Sequence, residues 1–230
     1  SQRATTISHT TSTRLPNPPL PTLPSIGTRV FTYSRHGNYV YSIQWSSNNK
    51  RIVSASEDKT VHVWNALDGS DFLIYRGHTT RANEAAWSPD DALIVSAASD
   101  PSVQLWHAVN GSTMYTYTGH KAAVFTAKWS PDGKRIASGG LDETVQVWKA
   151  SDGGNIYTYT GHSNIVNKVS WSPDGKHIAS ASTDQTVHVW NAADGGNPSI
   201  YKGHTARVFM AVWSPDGKRI AFEMALSRSS

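Results

Sequence analysis

The sequence of 230 residues contains no cysteine. A chain without thiols forms no disulfide, binds no metal through thiolates and has no cysteine nucleophile. It also has no apolar run near the ~18 residues that cross a bilayer, so the sequence predicts no membrane span. Only 17% of the residues are charged, and 38% are hydrophobic, which indicates a globular chain rich in turns. The compartment is unknown from composition, although a cytoplasmic location is slightly favoured.

Basic residues exceed acidic ones, with a formal net charge of +4 and an isoelectric point near 9.3. The excess would permit an acidic partner, but the basic residues form no run. Aspartate and lysine also alternate in repeated Asp-Gly-Lys turns such as Asp132 to Lys134. A surface that binds nucleic acid needs concentrated positive charge. The charge pattern therefore argues against nucleic acid as a partner.

Tryptophan recurs at a fixed interval along the chain. Trp45 and Trp87 are 42 residues apart, and nine tryptophans fall into two series with this step. Histidine keeps the same step from His36 to His204. Such a period indicates a repeat protein. The two series are Trp45, Trp87, Trp129, Trp171 and Trp213, and Trp64, Trp106, Trp148 and Trp190.

One repeat has room for four short strands and no helix. In the unit that begins at Gly119, alternating bulky residues predict the first strand. Pro131 and Gly133 favour a turn after it, because Pro fixes φ and Gly allows positive φ. Four strands of about five or six residues then fill the repeat as an antiparallel sheet. The predicted strands are 124–129, 134–138, 144–148 and 156–159.

Repeated sheets bury their faces by stacking, and radial stacking produces a propeller. The repeat reads Gly-His, then Trp-Ser-Pro-Asp-Gly, then Ile-Ala-Ser, then Asp-x-Thr-Val-x-Val-Trp. This pattern resembles that of WD-repeat (WD40) β-propellers, with near-identical units of the bacterial type. The resemblance covers residues 29–221 and implies an all-β, WD40-like β-propeller fold.

The sequence supplies four complete four-stranded blades and a partial fifth. Units begin near residues 35, 77, 119, 161 and 203, so residues 29–230 are the predicted propeller. We expect an N-terminal strand at 29–34 to join the last two strands, 208–213 and 218–222, in the fifth blade. Phe222 stands where the repeat has Ser, and the pattern then ends. Because propellers of this family usually have about seven blades, we expect a fragment of a larger propeller, with self-association through the incomplete blade as a further outcome.

Residues 1–28 have a different composition from the repeats. Ser and Thr dominate at first, and Pro16, Pro18, Pro19, Pro21 and Pro24 follow. Such a segment is typical of a disordered or polyproline-like tail or linker. By analogy with large bacterial WD proteins, we expect an upstream domain. The alternative function is therefore the sensor or docking region of a signalling enzyme, for example a Ser/Thr protein kinase, whose catalytic domain lies outside this chain.

The family resemblance implies a hydrogen-bonded His, Ser, Asp and Trp tetrad in each complete blade. These side chains can satisfy one another as donors and acceptors away from water. A Ser, His and Asp set also occurs in catalysis, but an active site is singular and exposed, whereas this set recurs four times with its Ser inside a strand. We predict no catalytic residue and no enzyme. The tetrads are His36, Ser54, Asp58 and Trp64; His78, Ser96, Asp100 and Trp106; His120, Ser138, Asp142 and Trp148; His162, Ser180, Asp184 and Trp190.

The other histidines form no recognisable set of metal ligands. His62 and His188 occupy one repeat position in two blades, and we expect both to be exposed strand residues. The sequence also has no glycine-rich phosphate loop and no HExxH helix. We therefore predict no metal, no cofactor and no small-molecule substrate.

Positions that differ between near-identical repeats are where binding specificity can reside. In the WD family, ligands usually meet the face that carries the Gly-His loops and the Asp turns. Aromatic residues and arginine there are typical anchors of protein interfaces. We predict a non-catalytic scaffold that binds a protein or peptide on this face, although some of these residues could instead fill the channel. The residues are Tyr39, Tyr41, Glu57, Arg81, Asn83, Ser99, Phe125, Leu141, Ile165, Asn167, Thr183, Arg207 and Phe209.

Overall fold

The structure is a computed structural model that describes residues 31–225. These residues form eighteen β-strands and no α-helix, which confirms the predicted all-β class. No helix with the length and apolar character of a membrane span occurs among them. The predicted tail at 1–28 lies outside the described residues.

The strands form consecutive antiparallel sheets, one for each repeat. Four sheets have four strands in chain order, and the last sheet has two. We call them blades 1 to 5. Blade 1 contains β1 Val40–Trp45, β2 Arg51–Ser56, β3 Val61–Asn65 and β4 Leu73–Tyr75, and blade 2 contains β5 Ala82–Trp87, β6 Leu93–Ala98, β7 Val103–His107 and β8 Thr113–Tyr117.

The remaining blades repeat the same pattern. Blade 3 contains β9 Val124–Trp129, β10 Arg135–Gly140, β11 Val145–Lys149 and β12 Asn155–Tyr159. Blade 4 contains β13 Val166–Trp171, β14 His177–Ser182, β15 Val187–Asn191 and β16 Ser199–Tyr201, and blade 5 contains β17 Val208–Trp213 and β18 Ile220–Met224.

Turn chemistry explains why the first two strands of each blade form a hairpin. The turn needs one residue with positive φ, and Gly133 supplies it in blade 3 with φ of 69°. Asn49 and Asp91 hold the equivalent position in blades 1 and 2, both with φ of 59°. Asn and Asp tolerate this conformation better than other non-glycine residues. The irregular sequence of the first repeat therefore keeps the same turn.

The core is divided among the interfaces between successive blades. Val53 and Val63 of blade 1 pack in one cluster with Ala85, Trp87 and Trp106 of blade 2. Equivalent clusters join the later blades. Each of blades 2 to 4 therefore buries one face against the blade before it and the other against the blade after it.

The predicted N-terminal strand at 29–34 is wrong for its described part. Residues 31–36 form no strand, and β17 and β18 pair only with each other. In each complete blade the fourth strand pairs with the third, and blade 5 has no third strand among the described residues. The segment therefore lacks a partner for backbone pairing, and the predicted three-stranded fifth blade does not form. Tyr33 instead stacks on Trp64 with ring centroids 3.9 Å apart, as Tyr75 stacks on Trp106.

No other blade among the described residues covers the first face of blade 1. Ile43 and Trp45 are 71% and 54% exposed, whereas Ala85 and Trp87 at the same positions of blade 2 are 1% and 4% exposed. Blade 5 does not cover this apolar surface, so the described blades do not form a closed ring.

Candidate protein-binding face

Two loops of each complete blade meet at the same end of the molecule. Glu57 N donates to Tyr39 O at 2.9 Å, and Ser99 N donates to Arg81 O at 3.0 Å. Leu141 with Ala123 and Thr183 with Ile165 repeat this bond. We call this surface the loop face. It is formed by residues 35–39, 57–60, 76–81, 99–102, 118–123, 141–144, 160–165, 183–186 and 202–207.

Six of the thirteen predicted binding residues are exposed at or beside the loop face. Arg81 connects two blades, because its Cζ lies 5.4 Å from the ring centroid of Tyr41 and its Nε donates to Ser99 Oγ at 2.8 Å. In blade 5, Arg207 Cζ lies 4.7 Å from the ring centroid of Phe209. Such cation–π pairs hold long side chains in fixed positions. The exposed residues are Tyr39, Tyr41, Arg81, Leu141, Arg207 and Phe209.

The other seven residues are half-buried, and two of them join neighbouring blades. Asn83 Nδ2 donates to Val124 O and Asn167 Nδ2 donates to Val208 O, each at 2.8 Å. These amides are therefore committed to the contact between blades, which the sequence could not distinguish from an exposed binding role. The half-buried residues are Glu57, Asn83, Ser99, Phe125, Ile165, Asn167 and Thr183.

The tetrad residues lie beneath the loop face. In blade 3, His120 Nδ1 donates to Asp142 Oδ2 at 2.8 Å, and Ser138 Oγ donates to His120 Nε2 at 2.8 Å. Trp148 Nε1 then donates to Ser138 Oγ at 3.1 Å. The serine is fully buried and engaged on both sides, so it offers no access to a substrate. The arrangement can fix a loop to a strand, but it cannot attack a ligand.

Blade 4 repeats all of these contacts, and blade 1 repeats the two of its histidine but has no hydrogen bond between Trp64 and Ser54. His36 Nδ1 lies 2.8 Å from Asp58 Oδ2, and its Nε2 lies 2.6 Å from Ser54 Oγ. In blade 4, His162 makes contacts of 2.7 Å with Asp184 Oδ2 and 2.8 Å with Ser180 Oγ, and Trp190 donates to Ser180 Oγ at 3.4 Å.

The tetrad of blade 2 is broken between its His and Asp. Ser96 Oγ contacts His78 Nε2 at 2.8 Å and Trp106 Nε1 at 3.1 Å, but His78 Nδ1 is 3.8 Å from Asp100 Oδ2. The residue that follows the aspartate explains why this His–Asp contact is longer in blade 2. Lys59, Glu143 and Gln185 have positive φ at the position where blade 2 has Pro101, and the proline ring fixes φ near −65°. The carboxylate of Asp100 accepts hydrogen bonds from Thr79 and Thr80 instead, each at 3.3 Å.

The tetrad carboxylates are ionised. Burial alone would raise the pKa of Asp142, but the hydrogen bond and electrostatic attraction of His120 and the amide of Lys121 outweigh it and lower this pKa to about 2. Burial likewise opposes the bonds from Thr186 and His162, which lower the pKa of Asp184 to about 2. In blades 3 and 4 the loop is therefore anchored by a fixed negative charge.

The expectation that His62 and His188 are exposed is wrong. Both are buried, with 2% and 3% of their surface exposed. Each imidazole stacks on the tetrad histidine of its blade, with ring centroids 3.8 Å apart for His36 and His62. Tyr33 and Tyr159 cover them from outside, with hydroxyls 2.9 Å and 2.8 Å from His62 Nδ1 and His188 Nδ1. The pattern of one blade could not show this burial, because the tyrosine comes from the preceding segment.

The clusters of His36, Asp58 and His62 and of His162, Asp184 and His188 bring ligand atoms within 4.8 Å of one another. Their geometry does not fit a metal centre. An imidazole binds a metal through a lone pair in its ring plane, and the planes of His36 and His62 are within 18° of parallel. Their lone pairs therefore do not converge. Thr60 Oγ1, which donates to Asp58, also lies 2.9 Å from His62 Nε2, so every ring nitrogen of this pair has a partner.

A buried carboxylate joins blades 2, 3 and 4 near the axis. Glu84 is 1% exposed and its Oε1 accepts from Lys128 Nζ at 2.8 Å and also from Lys168 Nζ. Its Oε2 accepts from Ala127 N at 3.1 Å. Burial would raise the pKa of Glu84, but the two ammonium groups lower it to about 2. No motif of a single repeat predicts this ion cluster, because its members come from three units.

The fold and the polar networks define a repeat protein built from four-stranded propeller blades. Comparison with family models gives a match to the WD domain, G-beta repeat, over residues 27–65, 69–107, 111–149 and 153–191. These four consecutive matches cover more than half of the 230 residues, so the chain belongs to the WD-repeat family. No curated protein matches the chain. WD repeats generally mediate protein–protein interactions, and domains of this family are typically non-catalytic scaffolds.

Proposed function

We propose that this chain is a non-catalytic interaction domain that binds a protein or peptide partner on its loop face. The observation that carries the proposal is the pairing of Arg81 with Tyr41 across two blades. An arginine and an aromatic ring held in place lose little conformational entropy when a partner binds. They are also the residue types that most often dominate the energy of interfaces.

The surroundings of this pair support the same function. Tyr39 is 75% exposed and lies two residues before Tyr41, and Leu141 adds an exposed apolar side chain on blade 3. The backbone bonds between the loops hold these residues on a rigid base. The tetrad serines below them are buried, so the face offers recognition groups and no exposed nucleophile from these networks.

The test uses peptides selected on the immobilised chain from a random-peptide display library. Binding of each synthesised peptide is then measured with Arg81→Glu and Phe125→Ala variants. We expect both variants to weaken binding at least about tenfold while circular dichroism stays nearly unchanged, and Arg81→Glu should also leave the melting temperature nearly unchanged. Arg219→Glu is the matched control, because this exposed arginine lies in the turn between β17 and β18 at the other end of the strands. Peptides that bind Arg81→Glu and Phe125→Ala normally would contradict the proposal.

A further inference from the structure

In blades 1 and 3 the first residue of the second strand is an arginine, and its side chain covers the interface with the next blade. Arg51 Nη2 of blade 1 donates to Ala108 O of blade 2 at 3.0 Å, and its Cζ lies 5.3 Å from the ring centroid of Trp87. Arg135 of blade 3 does the same to blade 4. Its Nη2 donates to Gly175 O at 2.8 Å, and its Cζ lies 4.8 Å from the ring centroid of Trp171.

Blade 2 has Leu93 at this position. Leucine has no N–H to donate and is shorter than arginine, so it cannot reach the carbonyl oxygens of blade 3 or cover Trp129 in this way. A cavity of about 590 Å³ lies here between blades 2 and 3. We call it the Leu93 groove. Its apolar lining consists of Leu93, Met114, Trp129, Ala150 and Ile156.

The interface between blades 1 and 2 has arginine at this position and has a cavity with a different lining. This cavity has a volume of about 530 Å³, and charged Lys50, Arg51 and Asp71 line it together with Phe72, Leu73 and Val109. The Leu93 groove instead exposes an apolar floor, with Met114 and Ile156 45% and 36% exposed. An apolar concave surface of this size can hold one or two hydrophobic side chains.

The edge of the Leu93 groove is positively charged. Lys134, Arg135 and Lys149 line it, and both lysine side chains are exposed. The one carboxylate that lines it, Asp132, already accepts hydrogen bonds from Ser130 Oγ at 2.5 Å and from Lys134 N at 3.1 Å. Lys149 is specific to this blade, because Asn65 and Asn191 hold the position in blades 1 and 4. The groove therefore attracts negative charge beside an apolar group.

We propose that the Leu93 groove is a second binding site, separate from the loop face, for a peptide segment that carries hydrophobic anchor residues flanked by acidic residues. The anchors pack where Arg51 and Arg135 cover a tryptophan at the interfaces that follow blades 1 and 3. The flanking carboxylates pair with Lys134 and Lys149. The site does not depend on the function proposed for the loop face.

The probe is a fluorescein-labelled peptide Asp-Asp-Leu-Phe-Asp-Asp, with Asp-Asp-Ser-Ser-Asp-Asp and Lys-Lys-Leu-Phe-Lys-Lys as controls. Binding is measured by fluorescence anisotropy on the full chain. We expect only the first peptide to bind, and methyl NMR to show a shift of Met114 while Met210 and Met224 of blade 5 stay unchanged. Equal binding of either control peptide, or an unshifted Met114, would overturn the proposal.

Matched variants separate the groove from the loop face and from folding. Leu93→Arg gives blade 2 the residue of blades 1 and 3, so we expect a stable fold and at least about tenfold weaker binding. Leu93→Met keeps an apolar side chain of similar volume and should bind normally. Lys149→Asn should weaken binding severalfold and make it less sensitive to salt. Arg81→Glu should leave this peptide unaffected. Normal binding by both Leu93→Arg and Lys149→Asn would refute the site, even if the loop face binds other peptides.

Discussion

The imidazole rings of His162 and His188 stack in blade 4 with their centroids 3.9 Å apart. Burial and the neighbouring His162 lower the pKa of His188 to about 4, and burial and His36 lower the pKa of His62 to about 4 in blade 1. An unfolded histidine has a pKa of about 6.5. Between these values the unfolded chain binds more protons than the folded chain, so stability falls as the pH falls.

We therefore expect the melting temperature to drop by several degrees as the pH falls from about 6.5 to about 4. Above about pH 6.5, His62 and His188 should have little effect on the melting temperature. His62→Gln with His188→Gln should reduce this dependence. Gln104 and Gln146 hold the same position in blades 2 and 3, where they accept hydrogen bonds from Tyr75 and Tyr117. Differential scanning calorimetry across the pH range checks the prediction, and an unchanged pH profile of the double variant would show that the histidine pairs do not cause it.

The tetrads of blades 2 and 3 provide a matched test of one hydrogen bond. Asp142→Asn removes the charge that accepts from His120 at 2.8 Å, and we expect it to lower the free energy of unfolding by about 1–3 kcal/mol. Asp100→Asn should have a smaller effect, because Asp100 is 3.8 Å from His78. Urea denaturation followed by circular dichroism measures both. Pro101→Gln should allow the turn conformation of Gln185 and raise the stability of blade 2, so a loss of stability in that variant would contradict the role given to Pro101.

The ion cluster at the axis should make Glu84 sensitive to substitution. Glu84→Gln leaves Lys128 and Lys168 close together without a counter-charge, and we expect a loss of about 3 kcal/mol. Lys168→Met in the same chain should recover part of this loss, because it removes one of the two facing charges. Thermal melts of the single and double variants form a thermodynamic cycle. Independent, additive effects would mean that Lys168 and Glu84 do not interact in solution.

Local sequence rules predicted most of the strands correctly because every repeat carries the same turn chemistry. The first strand of blade 3 has the predicted bounds, Val124–Trp129, and the hairpin turn has its positive φ at Gly133. The N-terminal strand was predicted wrongly because its pairing depends on a third strand in another part of the chain. A repeat pattern shows which residues can form a strand, but it does not show whether a partner strand is present.

Contacts between repeat units explain the other differences between the sequence predictions and the structure. His62 looks like an alternating strand residue, and it is buried only because Tyr33 of the preceding segment covers it. The contact of Lys168 with Glu84 spans two blades and depends on how closely the inner strands approach the axis. Pro101 was visible in the sequence as a departure from a position that needs positive φ, and the break in the tetrad of blade 2 could have been inferred from it.

The same repeat position holds a buried tryptophan in blade 2 and an exposed tryptophan in blade 1. Trp87 is 4% exposed between blades 1 and 2, and Trp45 is 54% exposed on the first face of blade 1. We expect Trp87→Ala to lower the free energy of unfolding by about 3–5 kcal/mol, because it leaves a cavity in a packed interface. Trp45→Ala in this chain should change it by less than about 1 kcal/mol, because little packing is lost.

Urea denaturation followed by circular dichroism compares the two variants without relying on tryptophan fluorescence. Sedimentation velocity of the unmodified chain is the control, since a second copy on the first face of blade 1 would bury Trp45. If Trp45→Ala were as destabilising as Trp87→Ala and the chain sedimented as a dimer, the exposed face would be an interface between copies. Equal destabilisation in a monomer would instead mean that another part of the same chain covers Trp45, and the uncovered face described for blade 1 would be wrong.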